Sequence, residues 1–278
     1  MRAQTMQRAR VNGVELDYEV TGDGEPVLLI SPVLADGFVP ILSEPSLARR
    51  YRLITYHKRG WAGSTHTPAP VSMADHAADA AALLAHLGVA RAHVAGHSSG
   101  AAVAAQLALL HPELVHTLAL LELSLLSVPG AGAFLQKAGP AFEAYAAGKH
   151  EAALVIFMNA VSGLEWDACR VLLDTRMPGA VAAAIKDADT FFSIELPALS
   201  AWTFGAAEAN GISQPVLSVL GSETEPLWQE IAMVLRSWLP QVEECTVDGA
   251  GHLLQIQRPQ AVAQALAGFF DRHRMATA

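Results

Sequence analysis

Charge is scarce in this chain of 278 residues, and basic charge scarcer still: Asp, Glu, Lys and Arg make up 16% of it, with 27 acidic residues against 18 basic ones. The formal net charge of −9 argues against nucleic acid or an anionic membrane surface as partner, because both are bound through basic patches. Two cysteines, Cys169 and Cys245, are too few for a disulfide framework and lack metal-type spacing, so both read as buried thiols. No apolar run approaches the ~20 residues of a membrane span. The longest, near Leu118 to Leu126, is broken by Glu122 and Ser124. The opening MRAQTMQRAR has no apolar stretch of signal-peptide length behind its charges. These absences predict a cytoplasmic protein with no membrane and no nucleic acid among its partners.

Apolar residues are abundant instead, at 52%, which excludes disorder, and the length suffices for one large core or two small ones. Arg8–Val11 and Val14–Thr21 flank Asn12-Gly13, whose residues accept the positive φ angles of a tight hairpin turn. After the turn Gly22-Asp23-Gly24, the run Pro26–Ile30 is apolar throughout, as in a strand of a parallel sheet buried on both faces. The period then alternates between strand and helix. Arg52–Tyr56, Arg91–Gly96, Thr117–Leu121, Pro215–Leu220 and Val242–Val247 read as strands. Asp75–Leu87, Ser99–Leu110, Pro226–Trp238 and Pro259–Arg272 read as helices, the first with Ser72 as N-cap and Gly88 as its stop. Such alternation predicts an α/β fold, a mostly parallel central sheet with helices on both faces. Between Leu123 and Ser213 the pattern blurs into an alanine-rich, helical composition. That stretch reads as an insertion, 123–213, into a core made of 1–122 and 214–278.

Gly96-His97-Ser98-Ser99-Gly100 fits G-x-S-x-G, and its context makes it more than a glycine-rich turn that contains a serine. It follows a buried strand and opens a helix, so Ser98 sits on a strained turn that lifts its hydroxyl above the sheet. The residues two before and two after must be small, because the turn brings their backbones together, and both are glycine. The helix N-terminus after Ser98 favours negative charge developing there.

On these residues the chain resembles the α/β-hydrolase superfamily from Val14 to Phe270. PVLLISPVLADGF (26–38), YHKRGWAGST (56–65), VAGHSSGAA (94–102) and DGAGHLLQIQRP (248–259) carry the likeness. The resemblance implies a serine nucleophile, Ser98, and a general base in the loop after the last strand, where Gly249-Ala250-Gly251 leads into His252. It places the triad acid, usually an aspartate, just after the strand Pro215–Leu220. This chain reads Gly221-Ser222-Glu223-Thr224-Glu225, with threonine at the expected place. Glu223 and Glu225 are candidates there. Some members, certain haloalkane dehalogenases and zearalenone-type lactone hydrolases among them, carry the acid at the end of the preceding strand, and Glu122 ends Thr117–Leu121. An ionised Glu122 in the apolar run LALLELSLL needs a specific partner, and a histidine that becomes cationic would be one.

The oxyanion hole of the superfamily takes one amide from the residue after the nucleophile, here Ser99. The other comes from the loop after Pro26–Ile30, which often reads His-Gly but here reads Ser31-Pro32. Proline has no N–H, so Val33 becomes the expected donor, with Leu34 the alternative. Arg59 and Gly60 read as supports of the nucleophile turn. His57 and His66 have no metal spacing, and neither metal nor cofactor is predicted. The insertion's aromatics suggest an apolar substrate, with His97, Leu34, Phe192 and Trp202 as candidate contacts. The expected activity is hydrolysis of an ester or lactone of an apolar small molecule through an acyl-enzyme on Ser98. The same triad also serves carbon–carbon bond hydrolysis and cofactor-free haloperoxidation. From another class, a small-molecule receptor that kept the fold would explain the missing aspartate. The sequence sets no oligomeric state.

Overall fold

The computed structural model describes residues 6–68 and 70–275; residues 1–5, which open the N-terminal stretch read above, lie outside them. Strands β1 (Gln7–Val11) and β2 (Val14–Thr21) form the hairpin, with Asn12 at φ 45° and Gly13 at φ 78°. Six more strands follow: β3 (Glu25–Ile30), β4 (Tyr51–Tyr56), β5 (Ala92–His97), β6 (Val115–Leu121), β7 (Val216–Gly221) and β8 (Glu243–Val247). They make one sheet in the order β1-β2-β4-β3-β5-β6-β7-β8. Only β2 runs against its neighbours; from β4 to β8 every pairing is parallel.

The continuous apolar strands follow from burial on both faces. All six residues of β5 are buried. Alternate residues divide between two cores, with Leu28, Ile30, Val94, Leu118 and Leu120 on one face and Val27, Leu29, Ala95, Ala119 and Leu121 on the other. Helices Met73–His86 and Ser99–Leu110 cover the first face, and Pro259–Arg272 the second. Ser72 caps its helix as a capping box, its Oγ accepting from the Asp75 amide while Asp75 accepts from the Ser72 amide. Helix Ser99–Leu110 is buried nearly all round, which explains its run of alanines: small side chains let it lie between the sheet and helix Met73–His86.

Between β6 and β7 there is no strand among the described residues. Helices Ala131–Ala146, His150–Ser162, Trp166–Arg176 and Ala180–Lys186 lead to a π-helix, Thr190–Glu195, and two short helices, Leu196–Ser200 and Ala206–Ala209. Among the described residues, no single helix is long and apolar enough to cross a membrane. The parallel order places the C-terminal ends of β3, β5, β6, β7 and β8 side by side, and Val33, Ser98, Glu122 and His252 lie just beyond four of those ends.

Candidate active site

Ser98 occupies φ 56° and ψ −122°, a conformation rarely open to a side-chain-bearing residue. Its neighbours must be glycine for a measurable reason. A Cβ on Gly96 would stand 2.3 Å from the Gly100 carbonyl oxygen, and one on Gly100 would stand 2.1 Å from that of Ile30. Backbone hydrogen bonds hold the turn: the Ser98 amide donates to Leu121 O (3.0 Å), and Ser98 O accepts from the amides of Ala101 (3.0 Å) and Ser124 (3.2 Å).

One strand over, Glu122 also has positive φ, at 43°. Its amide still donates to Val219 O at 3.0 Å, so the turn redirects the side chain without releasing the strand end. Glu122 is 4% exposed and its carboxylate is fully engaged. Oε1 accepts from the Gly221 amide at 2.8 Å; Oε2 accepts from Thr224 Oγ1 at 2.8 Å and from His252 Nδ1 at 2.7 Å. A proton held on Nδ1 leaves Nε2 of a neutral imidazole free to act as base. Burial keeps that ring neutral, pushing His252 down to about 3. Burial also pushes Glu122 up, to about 7, against the opposing pull of Gly221 and Thr224. Glu223 is exposed, and Glu225 pairs with Lys137 at 3.2 Å. Neither shares a hydrogen bond with His252 among the described residues.

His252 is oriented from two sides besides its bond to Glu122. Trp228 stacks on the ring, centroids 3.9 Å apart and planes 12° apart. His97 donates from Nε2 to the His252 carbonyl (2.8 Å) and accepts at Nδ1 from Gln255 Nε2 (2.8 Å). Burial holds His97 well below the usual imidazole range, consistent with a neutral ring that donates on one side and accepts on the other. Ser98 Oγ shares its hydrogen bond with Ser124 Oγ at 3.0 Å, and no hydrogen bond joins it to His252.

Ser98, Ser99, His252, His97, Val33 and Leu34 border one cavity of about 50 Å³, closed over by Phe134, Phe157, Met158, Phe191 and Trp228. Among the described residues, neither the Ser99 amide nor the Val33 amide donates within the protein, which leaves both for a ligand. Two expected contacts stand elsewhere. Phe192 packs on Tyr145, centroids 4.9 Å apart, while its neighbour Phe191 borders the cavity. Trp202 donates to Gln106 Oε1 at 2.7 Å and stacks on Phe204, beside a separate surface groove. Arg59 grips Asp79 with two bonds, and Gly60 (φ 87°) leaves no room for a Cβ beside Thr190. The described residues contain no cluster of three or more His, Cys, Asp or Glu able to hold a metal. Sequence reasoning missed Ser124 and Trp228, whose proximity to the site arises only from folding. Thr224 was visible as the replacement for an aspartate, but its role as donor was not.

Comparison with known proteins agrees with this fold. A family model described as alpha/beta hydrolase fold matches residues 35–259. A protein of Azorhizobium caulinodans provisionally named a carbamate hydrolase is 34% identical over 117 residues, 42% of this chain and 44% of that one, so the match spans less than half its length. A Mycobacterium tuberculosis protein provisionally named a non-heme bromoperoxidase is 29% identical over 269 residues, 92% of this chain and 98% of that one. Among solved structures, a thermophilic esterase from Thermogutta terrifontis superposes with a TM-score of 0.78 at 20% identity, covering 97% of this chain and 100% of that one. The enol-lactonase from Burkholderia xenovorans LB400 gives 0.72 at 20% identity, covering 95% and 100%. Likeness at that identity speaks for the fold.

Proposed function

The chain belongs to the alpha/beta-hydrolase family and is a hydrolase, and from that premise we propose that it cleaves a carboxylic ester or lactone of an apolar small molecule through an acyl-enzyme on Ser98. The observation that carries the reading is the contact of His252 Nδ1 with Glu122 Oε2, at 2.7 Å, beside a serine on a strained strand-to-helix turn in the same cavity. Ser98 Oγ attacks the carbonyl carbon while His252 Nε2 takes its proton. Glu122 keeps the ring in the required tautomer and offsets the imidazolium charge. The amides of Ser99 and Val33 receive the oxyanion. Collapse expels the alcohol, which takes the proton from His252. Water then attacks the acyl-enzyme with the same base, the acid leaves, and Ser98 regains its proton.

The cavity's aromatic and aliphatic border supports an apolar acyl group. At about 50 Å³ it holds only a few atoms as it stands. A larger acyl group requires helix Ala131–Ala146 to shift, since its Leu135 and Phe142 are both exposed and border the cavity. Free thiols at Cys169 and Cys245 fit a cytoplasmic setting. The test is acid release in a pH-stat from simple esters, small lactones and macrolactones, for wild type and Ser98→Ala, with fluorophosphonate labelling of Ser98 alongside. Ser98-dependent release and labelling are expected. Full turnover by Ser98→Ala refutes the mechanism, and a receptor that kept only the fold would leave Ser98 unlabelled. A second reading, peracid formation with hydrogen peroxide in place of the second water, is favoured by the bromoperoxidase-named relative that spans most of the chain. Ser98-dependent bromide oxidation with acetate and peroxide would identify it.

A further inference from the structure

Lys58, Trp61, Glu195 and the side chain of Ser99 form a buried cluster that the proposed chemistry leaves unused. Glu195 closes the π-helix and is 1% exposed; Lys58 is 3% exposed. One carboxylate oxygen of Glu195 accepts from Lys58 Nζ at 2.7 Å and also from Ser99 Oγ; the other accepts from Trp61 Nε1 at 2.7 Å. Burial pushes the Glu195 carboxyl up, but the Lys58 ammonium and the hydrogen bonds outweigh it and keep the group ionised.

A clamp between the helices and the core does not need this pair. Thr190 Oγ1 already donates to Gly60 O at 2.6 Å, and the Ala62 amide donates to Asp187 Oδ2 at 2.8 Å. Two apolar side chains would add to that clamp without the desolvation that a buried ion pair costs. What only Glu195 supplies is a hydrogen bond to the side chain of Ser99, whose amide is the proposed oxyanion donor. A lone carboxylate there would oppose the developing negative charge. Lys58 cancels it, so the pair contributes position with little net field. The other titratable groups facing the carboxylate are His76, which burial pushes down to about 4, and Tyr56, which burial pushes up; both are neutral. Arg59 and Asp79 pair with each other.

We propose that Glu195 is a positioning residue for the oxyanion hole: from the helices above the cavity it fixes Ser99 so that the Ser99 amide meets the oxyanion, and Lys58 neutralises its charge at that point. The inference rests on the acyl-enzyme reading. It is tested with the full-length chain and p-nitrophenyl acetate. Ser99→Ala keeps the amide and removes only the contact to Glu195. The double variant Lys58→Met/Glu195→Leu removes the same contact, together with the Trp61 bond to Glu195, with no buried charge left behind. Each should lower kcat about 10-fold with KM within about twofold, a fraction of the roughly 100-fold or greater loss when an oxyanion donor is removed outright. The triple variant should be no slower than the double variant, because both changes break the Ser99–Glu195 contact. Lys58→Met alone leaves Glu195 without its counter-charge. Its kcat/KM should fall on the alkaline side as Glu195 ionises, a limb that the double variant lacks. Wild-type kcat in the double variant, or losses that multiply in the triple variant, would overturn the proposal while Ser98-dependent turnover stands. Absence of Ser98-dependent turnover in the wild type would overturn the acyl-enzyme reading and this inference with it.

Discussion

Replacing Glu122 by glutamine tests the triad most sharply, because the surrounding donors dictate how the amide must lie. The Gly221 N–H faces Oε1, whereas Thr224 and His252 Nδ1 share Oε2. If the new carbonyl oxygen keeps the Gly221 bond, the NH2 group points at His252 and forces the ring proton onto Nε2, where it blocks proton uptake from Ser98. The flipped amide would set an N–H against the buried Gly221 N–H. That unsatisfied pair costs about 1–3 kcal/mol, so the blocked arrangement prevails by roughly 5- to 150-fold. The flipped minority still lacks the negative charge that stabilises the imidazolium. Loss of both tautomer and charge should lower kcat about 10,000-fold, roughly 5 kcal/mol in the barrier. The assay is steady-state hydrolysis of an activated ester with a thermal melt in parallel, and the melt should change little because glutamine has the same shape. Glu223→Gln and Glu225→Gln should leave kcat within about twofold, since an exposed pair with Lys137 contributes little. A Glu122→Gln enzyme within tenfold of wild type would refute the assignment of the acid. A large loss in Glu223→Gln or Glu225→Gln would move the acid to the later loop.

Thr224→Val removes a donor to the ionised carboxylate, so the Glu122 pKa should rise above about 7. The Glu122–His252 pair then takes up its proton earlier as pH falls, and the acid limb of kcat/KM should move up by roughly half to one pH unit, from the ~1 kcal/mol of one hydrogen bond. Gly100→Ala should unfold the protein or lower its stability by about 3 kcal/mol or more in urea melts, since its Cβ would stand 2.1 Å from a backbone oxygen that cannot move aside. Ser124→Ala removes the resting partner of Ser98 Oγ, a bond that must break before attack. Fluorophosphonate labelling should quicken by up to roughly tenfold, and slower labelling would mean that Ser124 assists the attack.

The parts of this molecule that were legible in the sequence are those governed by local rules. Helices Ser99–Leu110, Pro226–Trp238 and Pro259–Arg272 have the bounds that their caps and prolines indicate, and each strand lies within about two residues of its apolar run. The turn at Ser98 was legible because its glycines answer a steric demand that can be stated before any coordinates exist. The contacts of 123–213 were not. An alanine-rich helical stretch has no marker for which aromatic faces a cavity, and consecutive residues of a helix point about 100° apart, so Phe191 borders the cavity while Phe192 packs on Tyr145. Trp202 presents the same difficulty: its indole N–H finds Gln106, a partner distant in sequence.

In the triad proposed above, the departure from the acid position that the resemblance implies is a local exchange between neighbouring strands. β6 and β7 pair in parallel, Leu121 opposite Val219, so a side chain leaving the end of either strand can reach the same point beneath the histidine. An acid at the end of β6 needs a backbone turned inward, and Glu122 at φ 43° has that turn. The loop after β7 then no longer has to supply charge, but it must still satisfy a buried carboxylate. It does so with the Gly221 amide and with Thr224 at the place where an aspartate would stand. A second carboxylate at 224 would meet Glu122 across one hydrogen bond's distance, and like charges that close cannot both remain ionised. The threonine and the glutamate are therefore one solution. A Glu122→Ala/Thr224→Asp double variant should regain activity relative to Glu122→Ala, whereas Thr224→Asp alone should lose it.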